Sequence, residues 1–129
     1  PTQAVFLEPP SNPTLEVIDL KAVCDLAHAA GARVVVDNVF ATPMLQKPMQ
    51  FGADIVIYST TKHIDGQGRC LGGAILYNDT DFRDQLLPII RHTGPAGPEP
   101  GDLSGTGKSS AAQAGDEPDV VARIDNCLA

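Results

Sequence analysis

The segment GADIVIYSTTKHIDGQGRCLGGAIL, residues 52–76, decides the fold. Its apolar run Ile55 to Tyr58 follows a Gly-Ala-Asp turn and reads as a buried strand. A second run, Gly72 to Tyr77, reads as another. Between them come the hydroxyl residues Ser59, Thr60 and Thr61, then Lys62, then Gly66-Gln67-Gly68. A charged amine at the mouth of a buried strand is costly unless something employs it. The spacing therefore marks Lys62 as a candidate reactive group.

Working outward, Ala4 to Leu7 reads as a short strand, stopped by the proline-rich segment Glu8 to Pro13. Asp19 is placed to cap a helix running to about Ala30. Leu20, Val23, Cys24 and Ala27 fall on one face of it, and Gly31 ends it. The β-branched run Val34-Val35-Val36 predicts a strand covered on both faces and ending at Asp37. Pro43 to Phe51 has room only for a short helical or turn segment, because Pro48 interrupts it. After the strand at Gly72 to Tyr77, Asp79 or Thr80 caps a helix through Phe82, Leu86 and Leu87. Strands alternating with helices predict an α/β fold, a partial and mostly parallel sheet flanked by helices.

Residues 1–93 carry this pattern and residues 94–129 depart from it. Between Gly94 and Pro118 there are six glycines, four prolines, one leucine and no aromatic residue. Such composition buries too little apolar surface to offset its ordering entropy, so a flexible tail is expected. Asp119 to Leu128 is predicted to form one or two helical turns.

The formal net charge of −7 argues against nucleic acid as a main partner, since phosphate binding needs clustered Lys and Arg. No apolar stretch approaches the length of about 18 residues that a membrane helix needs. No secretory leader is visible. Three widely spaced cysteines, Cys24, Cys70 and Cys127, read as free thiols in a reducing cytoplasm. The abrupt start at Pro1 raises the expectation of a piece of a longer protein. His28, His63 and His92 lack metal-ligand spacing. The stretch DLSGTGKSS at 102–110 has Asp102 where a phosphate loop requires its first glycine, so that motif fails.

Ligands of open α/β sheets gather outside the carboxyl ends of the strands. Three such ends carry polar groups here: Asn12 beyond the first, Asp37 at the second, and Ser59, Thr61 and Lys62 at the third. If the strands are parallel neighbours, these groups converge on one edge. A lysine amine forms an imine with an aldehyde, and a buried lysine holds more of its nucleophilic neutral form. A carboxylate pairs with a protonated ring nitrogen, while hydroxyls and backbone N–H groups hold a phosphate. These are the groups that pyridoxal phosphate requires. The plainer alternatives stand beside this reading: Ser59 and Thr61 as turn formers, Asn12 as part of a proline turn, Arg69 as a solvated loop residue and His63 as structural.

Three separated stretches, LEPPSNPTLEV, VVVDNVFATPMLQKP and GADIVIYSTTKHIDGQGRCLGGAIL, resemble the Cys/Met-metabolism family of pyridoxal-phosphate enzymes over roughly residues 3 to 95. That family includes cystathionine γ-synthase, cystathionine γ-lyase and the homoserine-ester sulfhydrylases. The wording KHIDGQGR-x-LGGA is most similar to the O-succinylhomoserine sulfhydrylase branch. The resemblance implies part of the large domain of a fold-type I pyridoxal-phosphate enzyme. It makes Lys62 the lysine that bonds the cofactor aldehyde and then shuttles protons on the substrate. It makes Asp37 the partner of the pyridine nitrogen, Ser59 and Thr61 phosphate contacts, and Asn12 a neighbour of the ring's phenolic oxygen.

The implied reaction is γ-replacement on an activated homoserine ester by a sulfur nucleophile, giving homocysteine when the nucleophile is sulfide. A γ-lyase relative, or a truncated remnant without activity of its own, are the alternatives. The implied partners are an amino-acid substrate and a sulfur donor, in a homotetramer for full-length relatives. The family is roughly three times longer, and the resemblance ends soon after RHTGPA, residues 91–96.

Overall fold

The computed structural model describes residues 1–67, 72–93, 111–112 and 120–124. The chain divides into two compact units, Pro1–Tyr58 and Ser59–Ala129.

The first unit is built on three strands, β1 (Ala4–Leu7), β2 (Arg33–Asp37) and β3 (Ile55–Ser59), whose last residue opens the second unit. They pair in parallel, β1 to β2 and β2 to β3. Parallel neighbours need a crossover, and helix α1 (Leu20–Ala29) supplies the first. Asp19 caps α1 as expected, its Oδ1 accepting the Ala22 N–H at 3.0 Å. Leu20, Cys24 and Ala27 are buried, one residue per turn of the inner face. Gly31 ends α1 at φ 73, the left-handed conformation that suits a residue without Cβ. The crossover from β2 to β3 holds a short helix, α2 (Thr42–Leu45), and a tight turn at Pro48–Phe51. Pro48 separates the two.

Strand parity gives β1–β3 two unlike faces. Val34, Val36, Val56 and Tyr58 lie on one face and are buried. Burying such side chains stabilises the fold by about 1.5–3 kcal/mol each. Phe6 and Val35, paired in register, lie on the other. Phe6 is 64% exposed and Val35 is half-buried. Ile55, in register with Val35 on that second face, is buried, so the expectation that β2 is covered on both faces holds in full for one face and in part for the other. The β-branched run fixes extended backbone, but what covers each face is decided by other elements.

The second unit begins at Ser59 with a single wide helical turn, Thr60–Ile64, closed by Asp65 N–H to the Thr60 carbonyl at 2.8 Å. Strand β4 (Gly73–Tyr77) and helix α3 (Thr80–Thr93) follow. Asp79 caps α3, its Oδ1 accepting the Asp81 and Phe82 N–H groups at 2.9 and 3.2 Å. Tyr77 and Phe82 meet edge to face, with ring centroids 5.4 Å apart.

The short β5 (Ala111–Ala112) and β6 (Val120–Ile124) pair antiparallel, and β6 pairs antiparallel with β4. This corrects the expectation of helical turns after Asp119, at least over Val120–Ile124. The β-branched Val120, Val121 and Ile124 favour extended backbone once a strand edge is offered. The tail expected to be flexible lies, apart from β5, outside the described residues, as does Arg69. The α/β class holds. No helix among the described residues is long and apolar enough to cross a membrane.

Candidate active site

Parallel pairing puts the carboxyl ends of β1, β2 and β3 on one edge, as the strand-end argument requires. Beyond β1, Ser11 ties a tight turn: its N–H donates to the Glu16 carbonyl at 3.1 Å and its Oγ accepts the Glu16 N–H at 3.0 Å. Asn12 rides on this turn and is exposed. Asp37, the last residue of β2, is half-buried and lies in register with Ile57 of β3. Its Oδ1 accepts the Val39 N–H at 3.0 Å, which fixes the carboxylate against its own chain. Asn12 and Asp37 belong to the first unit, whereas Ser59, Thr61 and Lys62 belong to the second.

Thr61 clasps Gly72. Its Oγ1 accepts the Gly72 N–H at 2.8 Å, and the Thr60 N–H donates to the Gly72 carbonyl at 2.8 Å. The loop after Lys62 is thereby closed at its base against the start of β4. Lys62 itself is exposed. The burial expected for it is corrected: the chain leaves the sheet at Ser59, and the wide turn takes Thr60 inward while Lys62 stays in solvent. Its backbone, at φ −86 and ψ −114, departs from the helical values of its neighbours.

Sequence reading missed Asn38. It is fully buried, and every polar group it owns is engaged. The two hydrogens of its amide Nδ2 are shared among three acceptors, the Gln46 carbonyl and the Tyr58 phenol oxygen, both at 2.8 Å, and the Thr42 carbonyl at 3.2 Å. Its Oδ1 accepts the Gln46 Nε2–H at 2.9 Å, and Gln46 Nε2 also donates to the Pro9 carbonyl at 2.9 Å. Burial pushes the Tyr58 phenol above its ordinary value, with the Asn38 hydrogen bond pulling the other way. The signal was available: Asn38 continues the parity of Val34 and Val36, which carries an amide onto the covered face.

A lysine amine, a carboxylate and hydroxyls are the kinds of group that a phosphate-bearing aldehyde uses. Among the described residues, the Lys62 amine and the Ser59 hydroxyl have no hydrogen-bond partner, and Asp37 keeps one carboxylate oxygen unpaired. The buried Thr60 Oγ1 has no hydrogen-bond partner among the described residues. No group of His, Cys, Asp and Glu among the described residues is arranged to hold a metal.

Comparison with known proteins decides the family. The profile described as Cys/Met metabolism PLP-dependent enzyme matches residues 1–102. The chain belongs to this family. The family is pyridoxal-phosphate-dependent. It is 62% identical over 97 residues to O-succinylhomoserine sulfhydrylase of Mycobacterium tuberculosis, covering 74% of this chain and 24% of that protein. It is 46% identical over 94 residues to the O-succinylhomoserine sulfhydrylase of Pseudomonas aeruginosa, covering 73% of this chain and 23% of that protein. Among solved structures, a methionine gamma lyase from Micromonospora echinospora is similar with a TM-score of 0.70 and 47% identity, covering 71% of this chain and 25% of that one. The chain thus spans about a quarter of the length of these relatives. The family match extends to residue 102, past the stretch of roughly residues 3 to 95 that carries the resemblance in the sequence.

Proposed function

We propose that this chain is the coenzyme-binding segment of a pyridoxal-phosphate enzyme that replaces the γ-substituent of an activated homoserine ester with a sulfur nucleophile. The observation that carries the reading is the similarity to O-succinylhomoserine sulfhydrylase, over the residues that hold Asp37 and Lys62. Succinate would leave Cγ of the ester and sulfide would add there, giving homocysteine. The second reading, γ-elimination by a lyase, draws on the 46% identity to an L-methionine gamma-lyase from Fusobacterium nucleatum.

Bound pyridoxal phosphate supplies an electron sink that acidifies the hydrogens on Cα and Cβ of the substrate. Lys62 would bind the cofactor covalently through its amine and, once freed by the substrate, take the proton from Cα and handle the one at Cβ. Solvent exposure leaves its flexible stem free for both positions. The unpaired oxygen of Asp37 would accept the N–H of the cofactor ring and hold its positive charge. The Ser59 hydroxyl would bind phosphate oxygens, and that of Thr61, which here accepts the Gly72 N–H and donates to the Gly72 carbonyl at 3.3 Å, would join it by turning its hydrogen from Gly72 to the phosphate. Asn12 would approach the ring's phenolic oxygen. Residues 1–93 form the coenzyme-binding part in this reading, working in the cytoplasm and within a homotetramer when the full length is present.

The test is direct. The chain is incubated with pyridoxal phosphate, reduced with borohydride and digested. The expected result is the cofactor mass on the Lys62 peptide alone. Even labelling of all the lysines would instead favour a remnant without a formed site.

A further inference from the structure

We infer that Asn38 is a positioning residue: it clamps the carboxyl ends of β1, β2 and β3 together and so fixes the direction of the Asp37 carboxylate. This rests on the reading of Asp37 as the partner of the cofactor's ring nitrogen.

The clamp reaches all three strand ends. Gln46, held by Asn38 Oδ1, donates to Pro9 just past β1. The Asn38 backbone N–H donates to the Ile57 carbonyl of β3 at 3.1 Å, extending the ladder one residue past β2. Its side chain donates to Tyr58, the next residue of β3. The orientation of the amide follows from its neighbours: the carbonyls of Gln46 and Thr42 accept only, so the nitrogen must face them. An aspartate in its place has no hydrogen to give and would set a carboxylate against two carbonyl oxygens.

Asp37 sits at one end of a short turn whose other end is Val39, and Asn38 is the residue between them. With Asn38 pinned by its own side chain and backbone, the Val39 N–H is held in place, and that N–H orients Asp37 Oδ1. Thr42 gives a second, independent sign that this region is over-determined. It is a β-branched residue at φ 62, a conformation it adopts only when its surroundings impose it. Asn38 imposes it from both sides, its carbonyl accepting the Thr42 N–H at 3.0 Å and its amide donating to the Thr42 carbonyl at 3.2 Å. A buried, fully satisfied network with stored backbone strain next to a proposed cofactor ligand is a device for orientation as well as for stability.

Coupling separates these two roles. The affinity of the full chain for pyridoxal phosphate and its melting temperature are measured for the unaltered chain, Asp37→Ala, Asn38→Ala, Tyr58→Phe and the two double variants that combine Asp37→Ala with each of the others. If Asn38 acts through Asp37, Asn38→Ala weakens binding about tenfold when Asp37 is present and less than about twofold when it is absent. Tyr58→Phe removes one acceptor of the clamp without opening a cavity, so it carries the same test, at about threefold, where Asn38→Ala fails to fold. Equal losses in both backgrounds, tracking the melting temperature, would overturn the positioning role and leave the site reading intact. Unchanged affinity in Asp37→Ala, or no binding by the unaltered chain, would overturn the site reading and the proposal with it.

Discussion

The carboxylate of Asp54 accepts the backbone N–H of Val34 at 2.7 Å, while the Asp54 N–H donates to the Val34 carbonyl at 3.0 Å. One residue at the entry to β3 thus holds both backbone groups of a residue in β2. The same carboxylate oxygen lies 2.9 Å from His28 Nε2 in the last turn of α1. The two contacts differ in worth. His28 and Asp54 are both more than a third exposed, so their ion pair contributes little. The Val34 N–H is part-buried, and stranding it costs its desolvation. Asp54→Ala should therefore destabilise the chain by about 1–3 kcal/mol, and His28→Ala by less than about 1 kcal/mol. Urea unfolding of the two variants checks the order.

Gly52 closes the turn before β3 at φ 102, and a Cβ there would stand 3.2 Å from the Cβ of Cys24 on α1. Backbone strain and crowding act together, because Cys24 is fully buried in the helix and has nowhere to retreat. Gly52→Ala should cost about 1–3 kcal/mol. Gly31→Ala, at φ 73 but with nothing within 4 Å, should cost less, since only the conformational part remains. Denaturation midpoints of the pair separate strain from crowding.

These local signals explain how much of the fold was legible. The cap at Asp19, the inner face of α1 and the stop at Gly31 lie within one helix, so sequence spacing reads them directly. The parallel pairing of β1, β2 and β3 was legible too, because apolar runs and a helix between them leave it as the simple solution. Exposure was harder. Whether Val35 or Lys62 is covered depends on elements distant in sequence, which spacing alone does not place. Asn38 was missed for the same reason: its partners Gln46 and Tyr58 come to it only through the crossover and the sheet. The pairing of β6 with β4 likewise depends on an edge that composition does not reveal.

The two tyrosines should respond in opposite ways to loss of the hydroxyl. The Tyr77 hydroxyl is buried and, among the described residues, has no hydrogen-bond partner, so Tyr77→Phe removes an uncompensated desolvation and should be neutral or stabilise by up to about 1 kcal/mol. The Tyr58 hydroxyl receives the Asn38 amide, so Tyr58→Phe removes that hydrogen bond while the Gln46 and Thr42 carbonyls still accept from the amide, and it should cost about 0.5–1.5 kcal/mol. Thermal unfolding near neutral pH reads both signs.

Alkaline pH supplies a further check. Burial pushes both phenols above the ordinary value of 10.0, opposed at Tyr58 by the Asn38 bond and at Tyr77 by Arg83, while Asp84 adds to the rise. Burial, with Asp54 and Asp25 adding and Lys21 opposing, likewise pushes the Cys24 thiol above 9.0. In each case the folded chain keeps a proton that the unfolded chain has released. The stabilisation is complete below the unfolded values and is lost as pH rises through the folded ones. Unfolding free energy should thus begin to fall near pH 9 for the thiol and near pH 10 for the phenols. Tyr58→Phe and Tyr77→Phe should each flatten the decline above pH 10, and a thiol reagent should modify Cys24 only as fast as the chain opens.

Lys62 separates stability from chemistry. Its side chain is exposed and, among the described residues, takes part in no hydrogen bond or ion pair. Removing it deprives the fold of nothing that the structure shows it using. Lys62→Ala should therefore leave the unfolding free energy within about 0.5 kcal/mol of the unaltered chain. The same substitution should abolish the borohydride-fixed cofactor adduct if Lys62 is the proposed cofactor lysine, since alanine has no amine to bond the aldehyde. Lys62→Arg keeps the charge but not a nucleophilic amine, so it should behave like Lys62→Ala toward the adduct. Parallel urea unfolding and peptide mass mapping give both answers from one preparation. A large loss of stability in Lys62→Ala would mean that the lysine is a structural member of its turn, and retention of the adduct would mean that the cofactor bonds elsewhere.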